Sequence, residues 1–146
     1  MEALVKVRQI TKDDWRDVLR LYESLSEEDL YLRFFHIYKL SPEEAMKLAK
    51  EEDHYTVVAE VGGEVVGEAT LHEDGEFSVV VASDYRKSHL GTWLVRELIK
   101  HAKETGMKEV KFYTLPENRA MISLGQKLGF TLTFDDEEIV GVLKLS

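Results

Sequence analysis

The sequence predicts an α/β protein of the α+β kind, with helices packed on a mixed sheet, in a single domain over residues 1–146. Two observations predict it. Three strand-like stretches between residues 55 and 82 are separated only by short turns at Gly62-Gly63 and Asp74-Gly75, which makes them antiparallel neighbours. A strand-helix-strand crossover follows, and that connection implies a parallel component. Together they exclude a doubly wound fold and give the order β-α-α-α-β-β-β-α-β-α-β-β.

Each element has its own signal. Residues 4–10, LVKVRQI, alternate apolar and polar with a β-branched bias and read as the first strand. Thr11 with Asp14 resembles a capping box, and Trp15, Val18, Leu19, Tyr22 and Leu25 then recur at helical spacing. Ser26 with Asp29 opens a second short helix, marked by Leu30, Tyr31, Phe34 and Phe35 and ending near His36. Ser41-Pro42-Glu43-Glu44 places a cap, a proline and first-turn acids at the head of a third helix running to about Lys50. YTVVAEV (55–61) and EVVGEATLH (64–72) form a hairpin, and Glu73-Asp74-Gly75 turns the chain into the strand Phe77 to Ala82.

After a polar loop at 83–88, Leu90, Trp93, Leu94, Leu98, Ile99 and Ala102 line a long helix ending near Gly106. The strand KEVKFYTL follows, then a helix from about Asn118 to Leu128 stopped by Gly129, and strands at 130–134 and 139–145.

Composition narrows the function. Net charge −9 argues against a nucleic-acid-binding module and suits basic partners. Cysteine is absent, which removes disulfides, thiolate metal sites and a cysteine nucleophile. No apolar run has membrane-span length and the N-terminus lacks a signal-peptide layout, so a cytoplasmic, membrane-free protein is expected. One asparagine and two glutamines among many charges fit a thermophilic source. The five histidines show no metal-ligand spacing, and no metal is expected.

The stretch Glu76 to Gly91, EFSVVVASDYRKSHLG, organises the rest. Within it, Tyr85-Arg86-Lys87-Ser88-His89-Leu90-Gly91-Thr92 sets two cations, a hydroxyl and a histidine where a helix begins. Backbone N–H groups there lack an intrahelical partner and, with the helix dipole, favour a pyrophosphate; a plain solvated helix start has the same composition.

This loop resembles the signature of the GNAT superfamily of N-acetyltransferases: Arg or Gln, two residues, Gly, one residue, Gly or Ala. Arg86, His89 and Gly91 occupy those places, so His89 departs from the pattern by setting a side chain where the family has glycine. LSEEDLYLRFFHIYKLSPEE (25–44), EFSVVV (76–81) and LPENRAMISLGQKLGF (115–130) resemble the Pat-type protein lysine acetyltransferases. In many bacteria that domain is fused to an acyl-CoA synthetase; this chain would stand alone, like the archaeal Pat.

The resemblance implies acetyl-CoA as acyl donor and assigns positions. The strand backbone at Val79, Val80 and Val81 would hold the pantetheine arm and acetyl carbonyl, with the oxyanion near Val79. The loop Arg86, Lys87, Ser88, His89, Leu90, Gly91 and Thr92 would hold the pyrophosphate, and Asn118 would contact the cofactor or simply cap its helix. Glu76, ten residues before Arg86, matches the glutamate base of related histone acetyltransferases; a strand-end surface carboxylate is the plain alternative.

A lysine amine, with pKa near ~10.4, must lose a proton before attack, so a base is required. His72 is a second candidate. A three-residue turn Glu73-Asp74-Gly75 would set it opposite Glu76, whereas a two-residue turn would pair Glu73 with Glu76. Many relatives protonate the leaving thiolate with a tyrosine in the last helix; that position is Gly125, and Ser123 is a weak substitute. Arg33-Phe34-Phe35 reads foremost as packing, and Glu27, Glu28, Asp29, Glu43 and Glu44 as solvated acids or an attraction for a basic surface.

The expectation is therefore a protein lysine N-acetyltransferase acting by direct attack in a ternary complex. Its partner would be a basic chromatin protein or an acyl-CoA synthetase, with the enzyme a monomer or weak dimer. A small-molecule amine acetyltransferase and a non-catalytic acyl-CoA sensor are the alternatives.

Overall fold

The computed structural model describes residues 4–26, 40–50, 53–86, 89–135 and 137–145. Four α-helices and seven strands lie there: β1 (Val5–Gln9), α1 (Trp15–Glu23), α2 (Pro42–Lys50), β2 (His54–Val61), β3 (Glu64–His72), β4 (Phe77–Val81), α3 (Leu90–Glu104), β5 (Glu109–Thr114), α4 (Arg119–Lys127), β6 (Thr131–Asp135) and β7 (Glu138–Lys144). Short 3-10 turns at Lys12–Asp14 and Ser83–Tyr85 lead into α1 and the loop before α3. The helix expected between Ser26 and His36, with Glu27, Glu28, Asp29 and Arg33-Phe34-Phe35, lies outside the described residues.

Helix starts follow from their caps. Before α1, the Asp14 carboxylate reaches back to accept from the Thr11 N–H at 2.7 Å, and it also accepts both arms of the Arg8 guanidinium at 2.8 and 2.9 Å. Arg8 extends to Glu60 at 2.9 Å, so one cation ties β1, β2 and the head of α1 together. At α2, the Ser41 hydroxyl accepts from the Glu44 N–H and the Glu44 carboxylate from the Ser41 N–H, each at 3.1 Å, with Pro42 first in the helix.

The strands form two sheets, ordered β1-β2-β3-β4 and β5-β7-β6, and every ladder is antiparallel. The parallel component expected from the crossover is a single bridge, Glu76 to Lys111, where the Lys111 N–H donates to the Gly75 carbonyl at 2.9 Å. The mixed sheet is thus two antiparallel sheets joined at one point, and no ladder links β4 to β5 beyond it among the described residues. Element order dictates that β5 runs alongside β4 but not how far the two stay paired. Gly75 makes the joint possible: its φ is 90°, and a Cβ there would lie 2.6 Å from the Glu109 carbonyl oxygen.

Alternation along the strands splits the core in two. Phe77 of β4, with Ala69 and Leu71 of β3, packs with Leu90, Leu94 and Leu98 of α3 and with Phe112 and Phe130; Val79 and Val81 pack at its edge. Val80 and Val58 face the other way, onto Val18, Leu21 and Tyr22 of α1. Leu94 and Leu98 are fully buried, each contributing roughly 1.5–3 kcal/mol by the apolar area removed from water. No helix among the described residues is long and apolar enough to cross a membrane.

Candidate active site

Where β4 and β5 part, a cavity of about 870 Å³ opens. Its lining includes Arg86, His89, Leu90, Gly91 and Thr92 at the head of α3, then Val79, Val80 and Val81 along β4, then Glu76 and His72 at the hairpin. Asn118, Ser123 and Lys127 border it from α4. Every site residue expected from the sequence borders this cavity except Lys87 and Ser88, which lie outside the described residues.

The hairpin takes the three-residue form. The His72 N–H donates to the Glu76 carbonyl at 2.8 Å and the Gly75 N–H to the His72 carbonyl at 3.0 Å, so His72 and Glu76 are cross-strand partners. Asp74 holds the turn by accepting from the Glu76 N–H at 2.9 Å. Strand parity sets both side chains on the α1 side, in file with Thr70, Ser78 and Val80. His72 is exposed and Glu76 half-buried. His54 sits across from His72 on β2, ring centroids 6.2 Å apart. Its Nε2 donates to the Leu48 carbonyl of α2 at 2.7 Å while Nδ1 lies 3.1 Å from Asp53. His54 thereby fixes α2 against the strand edge beside His72.

Hydrogen bonds at His72–Glu76 and Ala82–Val66 place the β3 ladder on the even residues of β4. The backbone groups of Val79 and Val81 consequently turn towards the split. Those of Val80 turn to Glu68 instead, and its side chain joins the α1 core. At the strand end, Arg86 Nε donates to the Val81 carbonyl at 3.2 Å.

His89 precedes α3 with φ of 65°, the one positive φ among described non-glycine residues. A left-handed conformation costs a residue with a Cβ about 1–2 kcal/mol, a cost that glycine in the resembled signature avoids. The imidazole meets Lys127 of α4, whose ammonium donates to Nδ1 at 3.0 Å. A cation therefore reaches the head of α3 from a helix 38 residues further along the chain. Asn118 caps α4 by accepting from the Met121 N–H at 3.3 Å while also bordering the cavity.

The wall opposite β4 is aromatic. Phe112 of β5 packs against Phe77 and Phe130 with centroids 5.6 and 5.3 Å away. Its ring fits a slot between two glycines: a Cβ on Gly125 would lie 2.8 Å from Cζ, and one on Gly141 2.3 Å from Cε1. Phe112 thus occupies the space a side chain at 125 would need. Among the described residues no group of three or more histidines, aspartates or glutamates is placed to hold a metal.

Sequence reading missed Lys127, His54, Phe112 and Thr114. Lys127 and His54 looked like ordinary charged and strand-edge residues. Only Phe112 and Thr114 carried a signal, as alternate buried positions of KEVKFYTL.

Residues 6–130 match the family described as Acetyltransferase (GNAT) family. The uncharacterized N-acetyltransferase MJ1207 of Methanocaldococcus jannaschii is 28% identical over 151 residues, covering 92% of this chain and 62% of that relative. The chain therefore spans about three-fifths of the length of that curated relative. The GNAT domain of S. lividans PAT superposes with a TM-score of 0.87 at 24% identity, covering 97% of this chain and 90% of that one. The structure of yncA from Salmonella typhimurium with its cofactor acetyl-CoA gives 0.83 at 20% identity, covering 97% and 94%. At such identities the structural likeness is one of fold.

Proposed function

Because the chain belongs to the GNAT family of acetyltransferases, we propose that it moves the acetyl group of acetyl-CoA onto a lysine ε-amine of a basic protein. The observation that carries this reading is the continuity of the cavity, which joins the head of α3 to Glu76 and His72 through the gap between β4 and β5. The lining suits such a donor chemically. Arg86, Lys127 and the backbone N–H groups at the head of α3 offer charge and donors to phosphates. Apolar Phe77, Val79, Val81 and Phe112 suit the arm, and a carboxylate and an imidazole stand at the far end.

In this reading the acceptor enters on the α1 side, where Glu76 and His72 face. Glu76 takes the proton of the ammonium through an ordered water, and His72 orients that water. The amine nitrogen attacks the acetyl carbonyl, strand N–H groups near Val79 support the oxyanion, the nitrogen gives its surplus proton to water, and the C–S bond breaks with its electron pair left on sulfur. Thiols ionise near ~8.5, so the thiolate leaves and takes its proton from solvent. The resemblance of three sequence blocks to Pat-type enzymes, the fold likeness to the GNAT domain of S. lividans PAT and the net charge of −9 support a basic protein as acceptor.

Mass spectrometry of a cell lysate incubated with enzyme and acetyl-CoA tests the acceptor, and new acetyl-lysine on basic proteins is the expected outcome. Acetylation confined to small amines would replace the protein acceptor with a small one. In the same assay Glu76→Gln is expected to lower kcat by about 10²–10⁴-fold with little change in KM for acetyl-CoA. Undiminished turnover would remove Glu76 as the base.

A further inference from the structure

Thr114 ends β5, two residues beyond Phe112 on the same buried face of the strand. It is 2% exposed and borders the cavity. Its Oγ1 is the one buried side-chain oxygen or nitrogen without a hydrogen-bond partner among the described residues. Three other buried hydroxyls among the described residues are paired: Thr56 with Thr70, Thr70 with Glu68, and Tyr22 with Glu68. An unpaired hydroxyl in such surroundings costs stability unless something outside the chain completes it.

We infer that the Thr114 hydroxyl is a hydrogen-bond partner for the acyl donor's arm, and that it is left unpaired in the free protein because its partner arrives with acetyl-CoA. This rests on the acetyl-CoA reading above. Two groups of that arm have the right chemistry, the sulfur, which accepts, and the amides, which donate and accept. At the sulfur, Thr114 steadies the thiolate without giving up its own proton. At an amide, it fixes how far the arm advances and hence where the carbonyl meets the amine.

The test compares wild type, Thr114→Val and Thr114→Ser by calorimetric titration with CoA and with desulfo-CoA, alongside thermal unfolding without ligand. Thr114→Val is expected to bind CoA about tenfold more weakly, the loss of one hydrogen bond, and Thr114→Ser to stay within about threefold. The unliganded Val variant is expected to unfold at or above the wild-type temperature, because it removes a buried group that has no partner. A loss with CoA alone assigns the contact to sulfur, and a loss with both ligands assigns it to the amides. CoA affinity unchanged in Thr114→Val, or an unliganded Val variant that unfolds at lower temperature, overturns the inference. A wild-type chain that binds no CoA would overturn the acetyl-CoA reading instead.

Discussion

Residues of β3 and β4 alternate between two faces with different chemistry. The α3 face carries Ala69, Leu71 and Phe77 against Leu94, Leu98 and Phe112. Across the strands, the α1 face carries Glu68, Thr70, His72 and Glu76. Glu68 is 1% exposed, accepts from the Tyr22 hydroxyl at 2.8 Å and from Thr70, and has no cation within reach among the described residues. Asp14, on the same side, is also buried but is held by the Arg8 guanidinium. The α3 face of these strands is thus apolar throughout, whereas the α1 face carries the ionisable residues beside the apolar cluster of Val58, Val80 and α1. The same two strands supply both, because alternate residues of a strand point to opposite faces.

Three substitutions or conditions break this division, in order of expected size. On the polar face, Glu68→Ala removes the carboxylate to which the Tyr22 and Thr70 hydroxyls donate and opens a void, and it should cost about 3 kcal/mol, read as a lower urea midpoint. Donor affinity should be unchanged while the variant remains folded, since Glu68 does not border the cavity. Weakened CoA binding in folded Glu68→Ala would show that the two faces are coupled.

On the apolar face, Gly141→Ala drives a methyl into the Phe112 ring, whose Cε1 lies 2.3 Å from the new Cβ, and overpacking of this kind should cost about 2–3 kcal/mol. Because Phe112 borders the cavity, this variant should also weaken donor binding, the reverse of the Glu68 result.

The third test is pH. The Arg8 guanidinium foremost, helped by the Thr11 N–H, holds the Asp14 pKa down at about 2 from 3.8, against the opposing effect of burial. A folded-state value below the unfolded one stabilises at higher pH. Asp14 should therefore contribute about 2 kcal/mol above about pH 4, lost as the pH falls through about 2. Urea unfolding of wild type and Asp14→Asn across that window should show the gap between them closing on acidification. A constant gap would mean that the ion pair does not carry the difference.

Much of this was legible in the residues. The capping signals at Thr11-Asp14 and Ser41-Glu44 form the contacts that their spacing implied. Glu73-Asp74-Gly75 allowed a three-residue turn or a two-residue one, and the three-residue form stands, with His72 bonded to Glu76 and Gly75 at φ of 90°. Glu68 was not legible in this way. A carboxylate at an alternate strand position reads as solvent-facing, and only α1 laid across that face, with Tyr22 reaching down, buries it.

By itself the sequence determined the order of the elements, the two periodicities and the strand-loop-helix stretch from Glu76 to Gly91 that resembles an acetyl-CoA site. Those features depend on neighbours a few residues apart, where backbone geometry and capping chemistry act. Tertiary structure alone decided that β4 and β5 separate after one bridge, that Phe112 fills the place of a side chain at 125, and that Lys127 comes to His89. It also decided that the Thr114 hydroxyl is left without a partner in the free chain. Each of these depends on groups brought together from distant parts of the chain, and which groups those are is settled by how the two sheets and their helices pack.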